Sequence, residues 1–214
     1  MLKTDTSEKG LESLIVAALT GQDADGGPQS DGVVDKPAIP YGKLVYVQGD
    51  PSHYDRDHAV DLDKLLAFLR VTQPRVVEQL AIDADGPKRR EFLARLQGQV
   101  TARGVVDVLH NGIKHGPASV DLFYGTPSPG NIQAAQRYAA SVFSVTRQLR
   151  YSNDESRLAL DLCLFINGLP VATFELKNRL TKQTVDDAVQ QYKRDRDPRD
   201  LLFRFGRCLA HFAV

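Results

Sequence analysis

The sequence predicts an α/β fold, a mixed central β-sheet flanked by helices, and three observations predict it. Apolar residues recur at helical spacing at the start of the chain and through residues 61–103. Runs of strand length that alternate or stay apolar follow from residue 105 onward. Between two of those runs stands Asn167-Gly168, the strongest short hairpin signal a sequence offers. At 214 residues, 42% hydrophobic and 25% charged, the chain has the size and usage of one globular domain, so residues 1–214 are read as a single unit.

The elements follow in order. SEKGLESLIVAAL sets Leu11, Leu14, Ile15, Ala18 and Leu19 at helical spacing behind a Thr6/Ser7 start signal, which predicts an amphipathic helix. Residues 21–42 are rich in Gly, Pro and Asp and predict a mobile loop. A short strand is expected over 44–47, then helices over 61–70, 74–82 and 87–103, with Pro74 and Pro87 suited to first-turn positions. Gly104 closes the last of these, and 105–124 reads as two strands joined near Asn111-Gly112. A short helix over 131–138 precedes a strand over 142–149, and a polar helix over 183–196 follows the hairpin around Asn167-Gly168. The closing LAHFAV is an apolar, strand-like run, so the chain is expected to be a fragment of a longer polypeptide.

Composition excludes several classes. No apolar run approaches the roughly 20 residues needed to span a bilayer. Cys163 and Cys208 form no CxxC pair and the start MLKTDTSEKG lacks an apolar signal core, so a reducing cytoplasm is expected. No GxxxxGK[ST] string exists to cradle a nucleotide triphosphate. The five histidines show no ligand spacing with the cysteines. Net charge is zero, yet residues 177–207 carry nine Lys/Arg against five Asp/Glu. A concentrated basic stripe, here including Lys182, Lys193 and Arg194, attracts phosphate even on a neutral protein.

The chemistry concentrates in the hairpin. Leu158, Leu160, Leu162, Leu164 and Ile166 alternate with Ala159, Asp161, Cys163 and Phe165; on the second strand Ala172, Phe174 and Leu176 alternate with Val171, Thr173, Glu175 and Lys177. A regular two-residue turn would pair Ile166 with Leu169 and set Asp161 opposite Phe174, so the apolar faces would not coincide. A three-residue loop or a bulge shifts the parity by one and brings Asp161, Glu175 and Lys177 onto one face with Thr173. Two carboxylates side by side bind a hard divalent cation, typically magnesium, with waters completing its shell. Such an ion polarises a phosphate oxygen and acidifies bound water, while the Lys177 ammonium orients that water or offsets phosphate charge. The carbonyl of Leu176 is a further candidate ligand.

Asp161, a thirteen-residue gap and then Glu175-Leu176-Lys177 resemble the PD-(D/E)xK nuclease signature, with Leu160 where the name has proline. INGLPVATFELKN followed by TVDDAVQQYKRDRDP resembles the nuclease region of type I restriction endonuclease motor subunits. That likeness extends to the first helix, YDRDHAVDLDKLLAFL and VTRQL. The resemblance implies a restriction-endonuclease-like fold and a magnesium-dependent DNA endonuclease, with manganese as a substitute ion. Asp161, Glu175 and Lys177 would be catalytic, and Glu12 would be an additional acid near the metal. Gln191 fits the glutamine of a Gln-x-x-x-Tyr element that seats the DNA backbone, but Asp195 stands where its tyrosine belongs and Tyr192 is displaced. The family's partners are double-stranded DNA and the methyltransferase and specificity subunits, and its ATP-driven helicase domains lie outside this sequence. A non-catalytic DNA-binding or subunit-docking module on the same fold is the competing reading. A glycosidase with Asp161 and Glu175 as its carboxylate pair would leave Lys177 without a task and would call for aromatic sugar platforms, yet tryptophan is absent.

Overall fold

A computed structural model describes residues 8–21, 46–153, 158–177 and 184–214. The expected loop over 21–42 lies outside the described residues except for Gly21, as do Lys182 and the start of the expected strand over 44–47. Among the described residues, seven α-helices surround a five-stranded mixed sheet and two small hairpins.

Helix α1 (Glu8–Thr20) is amphipathic, and Leu11, Ile15 and Leu19 of the expected stripe are half-buried against the core, but the fully buried positions lie beside them. Glu12, Val16 and Thr20, four apart, face inward, while Leu14 is 49% exposed. Strand β1 (Val47–Gln48) leads into the ribbon β2 (Tyr54–Asp55) and β3 (Val60–Asp61). Helix α2 (Leu62–Thr72) starts where the Asp61 carboxylate accepts from the Lys64 amide at 3.1 Å. Helices α3 (Pro74–Leu80) and α4 (Pro87–Arg103) each open on the anticipated proline.

Residues 105–111 depart from expectation: Val105–Asn111 is a helix, α5, not a strand. Val105, Val108 and Leu109 are its buried residues, a spacing of three and four that a helix satisfies and a strand would split between two faces. The hairpin in this region comes later and is smaller, β4 (Ile113–His115) against β5 (Ala118–Val120).

After α6 (Ile132–Ala139) the main sheet assembles from β6 (Phe143–Arg150), β7 (Ala159–Ile166), β8 (Leu169–Glu175) and β9 (Ala210–Ala213). Its order is β1-β6-β7-β8-β9; β6, β7 and β8 form an antiparallel meander, and β1 and β9 join the two sides in parallel. Strand β7 is therefore central. It buries both faces, which overturns the expected division into an apolar and a polar side: Leu162 packs with Val16 of α1, and Cys163 and Phe165 pack with Tyr54 and Leu202.

The Asn167-Gly168 turn is buried as well. Both residues have positive φ, +49° and +80°, the pattern of a two-residue I′ turn. Asn167 donates to the Leu122 carbonyl at 2.8 Å and accepts from the Val142 amide at 2.7 Å. A side chain on Gly168 would lie 2.4 Å from the Asp61 carbonyl oxygen, so this turn fits the start of α2 only as glycine. Among the described residues no helix is long and apolar enough to cross a membrane.

Candidate active site

The two-residue turn alone would misalign the acids, and a bulge corrects it. Ile166 pairs with Leu169 and Phe165 with Pro170, after which the register steps to Leu164 with Ala172, leaving Val171 without a partner. From there Cys163 faces Thr173 and Leu162 faces Phe174. Asp161 and Glu175 are the next residues along the two strands beyond this last pair, near enough for the Asp161 charge to act on Glu175.

Asp161 is half-buried, and its Oδ2 accepts from the backbone amide of Leu176 at 2.7 Å, which ties the carboxylate to the end of β8. Glu175 is buried at 2% exposure. Burial pushes its carboxyl above the ordinary glutamate value, and the Asp161 charge adds to that rise, whereas Arg196 and Lys177 oppose it. Lys177 is half-buried at the end of β8, where its backbone amide donates to the Val214 carbonyl at 2.8 Å.

The Arg196 guanidinium meets the Glu175 carboxylate in an ion pair whose side chains are each 3% exposed. It also donates to the Tyr151 hydroxyl at 2.8 Å and to the Ala159 carbonyl at 3.0 Å. Burial alone would lower the Arg196 pKa, but Glu175 and Tyr151 outweigh it and the net direction is up. Arg196 is delivered by helix α7 (Val185–Gln190) and the wide turn Gln191–Asp195 that extends it. Thr184 caps α7 through a reciprocal bond with Asp187. The helix packs against the edge strand β9, and the turn after it reaches β8: Tyr192 shares a hydrogen bond of 2.9 Å with Thr173, whose hydroxyl also lies 2.7 Å from His211 Nδ1.

Glu12 of α1 is buried at 3%, not the ordinary exposed helical glutamate. Arg147 forms an ion pair with it, and the Gln148 side-chain amide donates to its Oε2 at 2.8 Å. The same Gln148 nitrogen stands 3.2 Å from Asp161 Oδ1, so Glu12 and Asp161 meet through one amide.

The predicted backbone-binding residues sit apart from this group. Lys193 and Arg194 are exposed on the turn after α7. Gln191 is half-buried, with its Oε1 lacking a hydrogen-bond partner among the described residues. Lys182 lies outside them. Sequence reasoning assigns no role to Arg147, Gln148 or Arg196, the side chains that hold the three acids. Their only signal is the VTRQL string and the basic stripe, neither of which names a partner.

All candidate ligands at this end of the hairpin are oxygens: the Asp161 and Glu175 carboxylates and the Leu176 carbonyl. Among the described residues no three His, Cys, Asp or Glu side chains group closely enough to hold an ion by themselves.

A family model described as type I restriction enzyme R protein N terminus matches residues 71–214. That span includes β6 to β9 and α7 but not Glu12. No curated protein and no solved structure matches the chain.

Proposed function

The chain belongs to the family of type I restriction enzyme R protein N termini, and from that premise we propose that it is a magnesium-dependent endonuclease domain hydrolysing DNA phosphodiester bonds. The observation that carries the reading is the bulge in β8, beyond which Asp161 and Glu175 follow the last paired residues at the end of a hairpin that continues into Lys177, with the Asp161 charge acting on Glu175. Asp161, Glu175 and the Leu176 carbonyl would hold the cation, which supplies charge neutralisation at the phosphate and acidifies bound water.

The chain's own residues do the rest. Leu176 N–H fixes one oxygen of Asp161, and the Gln148 amide approaches the other. Arg196 opposes the rise that burial gives the Glu175 carboxyl, favouring its charged form. Lys177 adds a positive charge beside the acids, able to orient a water or offset charge on the reacting phosphate. Lys182, Gln191, Lys193 and Arg194 would hold the DNA backbone without reading its sequence. Double-stranded DNA and the methyltransferase and specificity subunits are the proposed partners, and ATP-driven translocation is assigned to helicase domains outside these residues.

One observation favours the competing module that binds without cutting: Glu12 and Glu175 each have an arginine partner, as a structural ion cluster would. Mutation of the intact enzyme separates the two. In the complete restriction enzyme, Asp161→Ala, Glu175→Ala and Lys177→Ala are each expected to abolish DNA cutting while translocation persists. Undiminished cutting in all three would refute the assignment, and loss of translocation together with cutting would point to a structural role.

A further inference from the structure

Strand β6 breaks a backbone rule at one residue. Gln148 has φ +48°, in the left-handed region that non-glycine residues seldom enter and that strand geometry excludes. The break interrupts the ladder at one point: Arg147 pairs with Leu162 and Leu149 with Leu160, but the pair between them, Gln148 and Asp161, is missing. Consecutive strand residues point to opposite faces. Here Arg147 and Gln148 both reach Glu12, one at each carboxylate oxygen, which a regular strand would not allow. The left-handed residue thus spends backbone energy to bring a side-chain amide to the side where Glu12 lies.

We propose that Gln148 is a positioning residue whose amide, held between Glu12 and Asp161, sets the orientation of the Asp161 carboxylate for cation binding. Asp161 is then fixed from two directions, by the Leu176 amide on Oδ2 and by Gln148 on Oδ1. Glu12 in turn fixes Gln148, and Arg147 neutralises Glu12, so α1 acts on Asp161 through a chain of three side chains. Residues held in sparsely populated backbone regions persist where the surroundings over-determine them, and the four contacts here do so. The inference rests on the nuclease reading, because it takes Asp161 to be a metal ligand.

Glycine and methionine at position 148 separate the role of the amide from that of the backbone. Gln148→Gly removes the amide and relieves the left-handed strain, and Gln148→Met removes the amide but keeps the strain. The purified protein and its variants are compared by thermal melting without metal and by calorimetric titration with Mn²⁺ alone. Gln148→Gly is expected to melt at or above the parent temperature and Gln148→Met below it. Both should bind Mn²⁺ at least about tenfold more weakly, the usual loss when a group that orients a metal ligand is removed. Asp161→Ala should not bind it. Parent affinity in both Gln148 variants, with binding abolished in Asp161→Ala, overturns the inference and leaves the nuclease reading in place. A Gln148→Gly protein that melts well below the parent overturns it too, because the residue would then be structural. Parent affinity in Asp161→Ala overturns the nuclease reading and this inference with it.

Discussion

Replacing Arg196 by methionine takes the counterion from a glutamate that has no water to turn to. Both side chains of the pair are 3% exposed. Breaking such a pair from one side costs about 3–5 kcal/mol, because the remaining charge stays desolvated. The loss of the bonds to the Tyr151 hydroxyl and the Ala159 carbonyl places Arg196→Met toward the upper part of that range. Glu175 has one escape, which is to take a proton. Burial already raises its pKa, and Arg196 is the strongest influence opposing that rise, so the variant lifts it further. An acid whose folded pKa exceeds its unfolded value contributes stability that is present below the unfolded pKa and lost as pH climbs through the folded one. The penalty should therefore be smallest below the ordinary glutamate value of 4.5 and grow as the solution is made neutral. Urea unfolding of the parent, Arg196→Met, Glu175→Gln and the double variant, each compared at the same pH, measures this. The double variant should recover at least about 1 kcal/mol relative to the sum of the singles. A loss below about 1 kcal/mol in Arg196→Met, equal in acid and at neutrality, is the size of an exposed pair and would refute the reasoning.

Two further outcomes are expected. Replacing Lys182, Lys193 and Arg194 by alanine should weaken DNA binding at every sequence and reduce the slope of log affinity against log salt by about 0.9 for each phosphate no longer neutralised. Mn²⁺ affinity should stay as it is, and unchanged DNA binding across a salt series would remove this helix from the interface. Gly168→Ala combines a positive φ with an approach of 2.4 Å to the Asp61 carbonyl oxygen. It should cost upwards of about 2 kcal/mol, or at least about 4 °C in Tm for a chain of this size, and an unchanged Tm would show that the turn is not locked against α2.

What can be read in the sequence divides along the range of the interactions involved. The hairpin is readable because Asn-Gly is a local signal, and α2, α3 and α4 because caps, prolines and periodic leucines are local too. Residues 105–111 mislead because Val105, Val106 and Val108 favour strands as single residues, while only contacts from the rest of the fold choose the helical face. Glu12 on α1 misleads for a related reason. Glu12 faces inward because Arg147 and Gln148, 135 and 136 positions away, satisfy it, and no periodicity count sees a partner at that distance. Arg196 escapes notice likewise, since in sequence it is one more base in a charged helix and only the turn that reaches β8 sets it against Glu175.

The candidate site is legible as a conflict before it is legible as a geometry. Asn-Gly asks for a two-residue turn, a two-residue turn sets Asp161 opposite Phe174, and shared chemistry between Asp161 and Glu175 asks for the other parity. One backbone irregularity between them resolves all three demands, and the unpaired Val171 is that irregularity. Gln148 is a second irregularity, on the strand at the other side of β7, at the position beside Asp161. A sheet held together by regular pairing gains nothing from either defect. Local rules in folded chains are most often broken where a function requires it. The two breaks lie on the two neighbours of the strand that carries Asp161, and the second sets a side-chain amide against its carboxylate.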